Sequence, residues 1–322
     1  MKNLALALIP ALLCTAVLLS GCSRDESSAA KTTHRIGISI PSADHGWTGG
    51  VVYHANRIKK EIEKENPDTR VIVSTAATSG EQVDRIENLI VQKIDALVIL
   101  PSEPAPLTGI CKKAVEQGIK LIVVDRNLAD PIQHLAVVGD NPGFGRAAAE
   151  VIAKELDGKG EIVIMEGVQC DVNTQRIEAF KEVLSEYPEM KIIGSGSADW
   201  NTEKGLALME NFLQKHPRID AVWTGDDDVS IGALKAYEES KRNDTKVFVG
   251  GGGSREIIKR IIDKDPLVRI TVTYPPEMIA VAAQEAVKII KGAEIEKDLI
   301  VVPAVVVDSS NAAEHYHPDS AY

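Results

Sequence analysis

Ala96-Leu97-Val98-Ile99-Leu100-Pro101 is a short apolar run halted by proline, and Lys120-Leu121-Ile122-Val123-Val124 repeats it, stopped by Asp125-Arg126-Asn127. Neither run alternates apolar with polar residues. Such runs belong to strands of parallel sheets that are covered on both faces. Leu107 to Gln117, between them, reads as a helix, so the stretch is a strand–helix–strand unit with a right-handed crossover. Working outward, the same unit recurs. Upstream, Arg35 to Ile40 is a strand ending at Pro41, and Trp47 to Glu65 a helix. Arg70 to Ser74 is a strand, and Glu81 to Lys93 a helix.

Downstream, a second series starts near Leu135. Strands are predicted at Ala136 to Val138, Glu161 to Met165, Lys191 to Gly194, Ala221 to Thr224, Lys246 to Val249 and Val268 to Val272. Helices are predicted at Phe144 to Leu156, Thr174 to Tyr187, Glu203 to Lys215, Ser230 to Glu239 and Ile257 to Ile262. A long helix at Met278 to Lys291 and two short strands, Leu299 to Val302 and Ala304 to Val307, close the pattern. One sheet does not readily take this many strands. The expected fold is therefore α/β, with two doubly wound parallel-sheet lobes joined by a multi-strand hinge. We assign 34–134 plus 273–294 to an N-terminal lobe, 135–272 plus 295–310 to a C-terminal lobe, and 311–322 to a tail.

In doubly wound sheets ligands sit off the carboxyl ends of the strands. Those ends carry Ser42-Ala43-Asp44-His45-Gly46-Trp47, Asp125-Arg126-Asn127, Gly167 to Arg176, Ala198-Asp199-Trp200-Asn201, Gly225-Asp226-Asp227-Asp228, Gly250 to Ser254 and Thr273-Tyr274-Pro275-Pro276. Aspartate, asparagine and arginine exchange oriented hydrogen bonds with hydroxyls. Trp47 and Trp200 offer flat apolar faces, whereas Trp223 lies inside a strand and is assigned to the core. A few polar groups between aromatic walls suit a sugar, which has a hydroxyl rim and C–H faces. Asp228 has the position of a helix cap, so Asp226 is preferred as the ligand contact. His45 stands as either a structural hydrogen-bonder or a ligand contact, and Asp140 and Asn141 as turn formers before Pro142. The glycine run at 250 to 253 matches neither a dinucleotide fingerprint nor a phosphate loop. It is read as close backbone approach to a ligand or to the opposite lobe. The aspartate triplet 226 to 228 is not read as a metal site, because consecutive strand-end side chains diverge.

The N-terminus adds a location. Lys2, the apolar run Leu4 to Leu19 and Leu19-Ser20-Gly21-Cys22 read as a signal peptide (1–21) ending in a lipoprotein processing box, with Cys22 as the lipidated residue. Residues 22–33 are polar and aperiodic and read as a tether. The expected product is an exported, membrane-anchored lipoprotein facing the periplasm or cell exterior. Of the four cysteines, Cys111 and Cys170 would remain in the globular part, in different lobes and unbridged. A net charge of −11 spread along the chain argues against nucleic acid as a partner.

Val123-Val124-Asp125-Arg126, Gly139-Asp140-Asn141, Ala198-Asp199-Trp200 and Ala221 to Asp228 together resemble the type I periplasmic sugar-binding proteins, the ribose-binding group that feeds ABC transporters. The resemblance runs from about Arg35 to Val307. It implies a sugar or polyol ligand, ABC permease subunits as partners and no cofactor. It places a polar contact on Asp44, aromatic walls on Trp47 and Trp200, a hydroxyl clamp on Asp125 and Arg126, and Asp226 where an asparagine is usual. Three positions depart from the ribose pattern. An arginine expected after the strand at 161 to 165 is replaced near Asn173-Thr174, a strand-end aspartate near Gly252, and a glutamine by Tyr274. A ligand other than ribose is the expectation, with Asn173 and Tyr274 among its contacts. Two other readings compete. One is a sensory lipoprotein presenting sugar to a chemoreceptor or sensor kinase. The other is a glycoside hydrolase using Asp44, Asp125 or Asp226, against which Arg126 beside Asp125 reads as a clamp that keeps the acid ionised.

Overall fold

The computed structural model describes residues 34–43, 46–320 and 322; Cys22, Asp44 and His45, with the expected signal and tether, lie outside them. β1 (His34–Pro41) pairs in parallel with β2 (Thr69–Ala76) on one side and β3 (Ala96–Ile99) on the other. β4 (Lys120–Val124) lies beside β3, β5 (Leu135–Gly139) beside β4, and β11 (Leu299–Val302) beside β5. The order is β11-β5-β4-β3-β1-β2. Successive strand side chains point to opposite faces, and here both faces are buried. Ala96, Val98, Ile122 and Val124 meet α1 (Gly46–Glu65) and α9 (Met278–Ile290). Leu97, Ile99, Leu121 and Val123 meet α2 (Ser79–Val91) and α3 (Pro104–Glu116). That is why the runs are uninterrupted in the sequence. Each such Leu or Ile contributes about 1.5–3 kcal/mol, so a charge at Ile122 would break the sheet's centre.

The helices show the matching stripe. α1 buries Trp47, Val51, Ala55, Ile58 and Ile62, at steps of three or four residues along one face. α2 starts at a reciprocal cap: the Thr78 hydroxyl accepts from Glu81 N (3.2 Å), and Glu81 Oε2 accepts from Ala77 N (2.7 Å).

The second sheet has the order β7-β6-β8-β9, from β6 (Lys159–Glu166), β7 (Glu189–Ser197), β8 (Ala221–Trp223) and β9 (Val247–Val249). α4 (Asn141–Glu155) and α5 (Asp171–Leu184) cover Ile162, Ile164, Ala221, Trp223, Val247 and Val249. α6 (Thr202–Lys215), α7 (Asp227–Ser240) and α8 (Arg255–Ile262) cover Val163, Met165, Val222 and Phe248. Trp223 is core, as expected, and stacks on Phe180 at 4.0 Å and 5°. β10 (Thr271–Val272) pairs antiparallel with β12 (Val306–Val307), and parallel bridges Val249–Ile270 and Gly252–Thr273 tie this pair to the sheet.

The expected lobe boundaries are corrected at two strands. β5 and β11 were assigned to the C-terminal lobe, yet both belong to the first sheet. Which sheet a strand joins is decided by its hydrogen-bonding neighbours, here β4 for β5 and β5 for β11, and not by its own residues. The chain therefore crosses between lobes after Gly139, again between Thr273 and Glu277, and again between Val302 and Val306. Backbone bonds stitch the crossings together: Asp140 N to Val302 O (3.0 Å) and Thr273 N to Val305 O (2.8 Å). Cys111 on α3 and Cys170 before α5 are both free thiols. No helix among the described residues is long and apolar enough to cross a membrane.

Candidate functional site

The carboxyl ends of both sheets face one cleft at the crossings. Tyr274, which follows β10, is its centre. Its phenol donates to Asp125 Oδ1 (2.5 Å), and Asn141 Nδ2 donates to the phenol oxygen (3.4 Å). The Trp47 indole N–H donates to the Tyr274 carbonyl (2.9 Å), and the two rings lie 5.9 Å apart. The ring passes so close to Gly139 that a Cβ there would stand 2.1 Å from Tyr274 Cε2. Burial and the Asp125 carboxylate both push the Tyr274 phenol upward, so it stays a donor. Asp125 has a left-handed backbone (φ 63°), which turns its side chain inward after β4. Arg126 Nε lies 3.6 Å from Asp125 Oδ2, and its Nη1 donates to Ser102 O (3.2 Å). Trp47, Asp125, Arg126 and Tyr274 are thus brought together.

Arg176 joins this group from the other lobe. Its Nε donates to Asn141 Oδ1 (2.9 Å) and its Nη1 to Gly225 O (2.9 Å). Its guanidinium carbon lies 4.3 Å from the ring centres of both Phe144 and Tyr274, a desolvated cation between two π faces. Asn173 and Thr174 stand where the ribose pattern leads us to expect an arginine, and Arg176, further along, supplies the guanidinium of the second lobe. The arginine stands one turn into α5 and not in the loop before it. The signal was readable: Asn173, Arg176, Ile177, Phe180 and Leu184 are the buried stripe of α5, and a charge in such a stripe demands a partner.

The two outer aspartates of the triplet exchange roles relative to the expectation. α7 begins at Asp227, so Asp226 is the cap, and its Oδ1 accepts from Asp228 N (2.8 Å) and Val229 N (3.3 Å). Asp228 instead reaches across the cleft, where its Oδ2 accepts from Gly46 N of the first lobe (3.1 Å). Burial, with Asp228 and Asp227 beside it, pushes the Asp226 carboxyl well above the usual range, against the pull of Arg176. Asp227 is buried and holds the glycine run. It accepts from Gly251 N (2.7 Å), Gly253 N (2.9 Å), Ser254 N (2.6 Å) and the Thr271 hydroxyl (3.1 Å).

Asn173 and Trp200 meet elsewhere, at Gly167. Asn173 Oδ1 accepts from Gly167 N (2.9 Å) and its amide donates to Glu166 (3.3 Å), so its polar atoms hold their own loop. The half-buried Trp200 ring lies against the same glycine, where a Cβ would stand 2.0 Å from Nε1. Asp140 caps α4 by accepting from Gly143 N (2.7 Å), as a turn former should, while Asn141 belongs to the polar centre. Gly46, Asn141, Arg176 and Asp228 stand at or beside strand ends in the sequence, but that position alone did not mark them as site residues.

Two α/β lobes with hydrogen bonds meeting across a cleft define a two-lobed ligand-binding protein of the periplasmic type. The chain belongs to the periplasmic binding protein domain family, which matches residues 36–294. It is similar to the ribose import binding protein RbsB of Bacillus subtilis, at 28% identity over 88% of this chain and 92% of that one. It is also similar to a xylitol-binding protein of Mycolicibacterium smegmatis, at 26% identity over 92% and 84%. Among solved structures, an ABC transporter solute-binding protein of Actinobacillus succinogenes with bound D-allose superposes with a TM-score of 0.76. The identity is 26%, over 87% of this chain and 99% of that one.

Proposed function

We propose that this protein is the substrate-binding subunit of a sugar ABC importer, held at the membrane by lipid on Cys22, and that it takes a monosaccharide or polyol between its lobes. The observation that carries the reading is the Gly46–Asp228 hydrogen bond across a cleft lined by Asp125, Arg126, Arg176 and Asp226. A ligand that satisfies both sides favours the closed arrangement, because only there do both halves of its hydroxyl rim find partners. The closed form is the one a permease would read. Trp47, Asp125 and Arg126 serve the first lobe and Asp226 and Trp200 the second, with Tyr274 and Arg176 joining them. Asn173 holds the Gly167 loop behind Trp200, and Asp44 and His45 are assigned to the ligand as further first-lobe contacts.

The names of the relatives support a sugar or polyol as the ligand class. The second-lobe set, with Arg176, Asp226 and Tyr274, selects among them by its particular donors and acceptors. Calorimetric titration of the full chain with a panel of pentoses, hexoses and polyols tests the reading. One saturable binder is expected, and no binder across the panel would overturn it. Mass spectrometry of the peptide that begins at Cys22 tests the anchor: a diacylglyceryl adduct is expected, and an intact signal sequence would refute it.

A further inference from the structure

The cleft just described is filled by a residue of the chain itself. Tyr322 is only 5% exposed. On the first-lobe side, Cβ atoms added at Gly46 and Gly50 of α1 would stand 2.7 Å from Tyr322 Cδ2 and 3.1 Å from its Cβ. On the second-lobe side, its hydroxyl donates to Gly251 O (3.4 Å) and presses on Gly252, which adopts a φ of 122°. Burial and the carboxylates of Asp226, Asp227 and Asp228 push the phenol well upward. These are the loops assigned above to the ligand.

The segment leading to Tyr322 is tied to both lobes. His317 lies edge-on to the buried His54 of α1 (5.4 Å, 88°), and its Nε2 is 3.8 Å from Glu277 Oε1. The Pro318 carbonyl accepts from Arg255 Nη1 of the second lobe (3.1 Å). Ser320 N donates to His317 O (3.0 Å), and Tyr322 N to Ser320 Oγ (3.2 Å). His54, Glu277 and His317 are near enough to share a cation. However, Arg57 Nη2 already stands 3.5 Å from His54 Nδ1 and 3.4 Å from Glu277 Oε1. A positive charge holds that place, and the cluster acts as a clasp for the tail.

A tyrosine ring has two flat apolar faces and one rim hydroxyl, the same division of polarity as a small sugar. The ring and a sugar cannot occupy one volume between Gly46 and Gly252. Resting on the binding function given above, we propose that Tyr322 is a tethered occupant of the ligand cleft, which an incoming sugar must displace. The tail then sets the apparent affinity, because binding is reduced by the fraction of molecules whose cleft is free. A tail docked in nine of ten molecules would weaken binding about tenfold.

The test compares the full chain, Tyr322→Ala and a chain ending at Tyr316. Each is titrated calorimetrically with D-ribose, D-allose, xylitol and the rest of the panel. Both variants are expected to bind the active sugar about tenfold or more tightly than the full chain. Equal affinity in all three, or weaker binding by Tyr322→Ala, would overturn the proposal, the latter by making the ring a wall of the site. A ligand-free arm uses fluorotyrosine at position 322 and fluorine NMR. A resonance displaced from that of a peptide spanning 316–322, returning to the peptide position at saturating sugar, is expected. Coincidence with the peptide before any sugar is added would refute docking, whatever the sugars do. A displaced resonance with no binder for any variant would overturn the sugar-binding function and the displacement together. Equal binding by all three would overturn the displacement alone.

Discussion

Asp227→Asn changes one buried oxygen into an NH2 group and nothing else. Oδ1 accepts from Gly251 N and the Thr271 hydroxyl, and Oδ2 from Gly253 N and Ser254 N. With the amide nitrogen at the Oδ2 position, two backbone N–H groups would face a donor. With it at the Oδ1 position, the Thr271 hydroxyl can rotate and accept, leaving only Gly251 N without a partner. The second orientation wins. It costs about 1–3 kcal/mol for the orphaned buried N–H, and about 1 kcal/mol more as the remaining bonds lose charge assistance. Against this, burial already raises the Asp227 carboxyl from 3.8 to about 6, so removing its charge returns about 3 kcal/mol at neutral pH. The two effects nearly cancel, and the net expectation is a change within about 1 kcal/mol at neutral pH. Urea unfolding followed by tryptophan fluorescence measures it, with the fully buried Trp223 at the end of β8 reporting the second lobe. Thr271→Val added to Asp227→Asn should cost more than Thr271→Val alone, because it removes the rescuing acceptor. A loss of about 3 kcal/mol or more in Asp227→Asn at neutral pH, or strict additivity in the double variant, would refute this account of the glycine run.

Two further outcomes concern stability. Burial, with Arg57 and His317 beside it, holds His54 at about 3, down from 6.5. Below 6.5 the unfolded chain takes up a proton that the folded one refuses, so stability falls as pH drops through this window, by about 2–3 kcal/mol at a pH of about 4.5. His54→Gln should flatten that part of the curve in urea titrations at neutral and acid pH; an equally steep curve would show that Glu277, 3.5 Å away, offsets the burial. Tyr274→Phe keeps the ring but strips Asp125 of its phenol donor, and should cost about 1.5–3 kcal/mol in thermal unfolding; an unshifted transition would mean that water replaces the hydroxyl.

What the sequence disclosed followed local physics. Strands buried on both faces write themselves as unbroken apolar runs, so β3 and β4 were legible. Trp223, inside such a run, was legible as core. What it withheld depends on partners distant in the chain. Leu135 to Gly139 looks alike whichever sheet it joins, and only its pairing with β4 decides. Among Asp226, Asp227 and Asp228, a helix that starts at Asp227 and not at Ser230 reassigns cap, loop anchor and cross-cleft acceptor. Arg176 lies within a strand-end stretch, but its role stayed hidden because it sits inside α5 and only its long side chain brings it to the site. The tail gave no periodic signal, since a segment seated in a cleft is shaped by its host and not by its own repeat.

The three crossings also dictate an order of assembly. The first sheet carries α9 and β11, which lie about 140 and 160 residues beyond β5 in the sequence. As the chain emerges with its N-terminus first, the second lobe has all its helices and its four-stranded sheet once α8 has appeared. The first lobe then still lacks the helix that covers Val98, Ile122 and Val124. Its core stays open on one side until residue 290 appears, and its edge strand until 302. The part made first is thus completed last, and apolar surface waits for late sequence. Neither lobe is a contiguous fragment that can be cut out, and a chain interrupted before α9 would leave a half-covered sheet for other polypeptides to find.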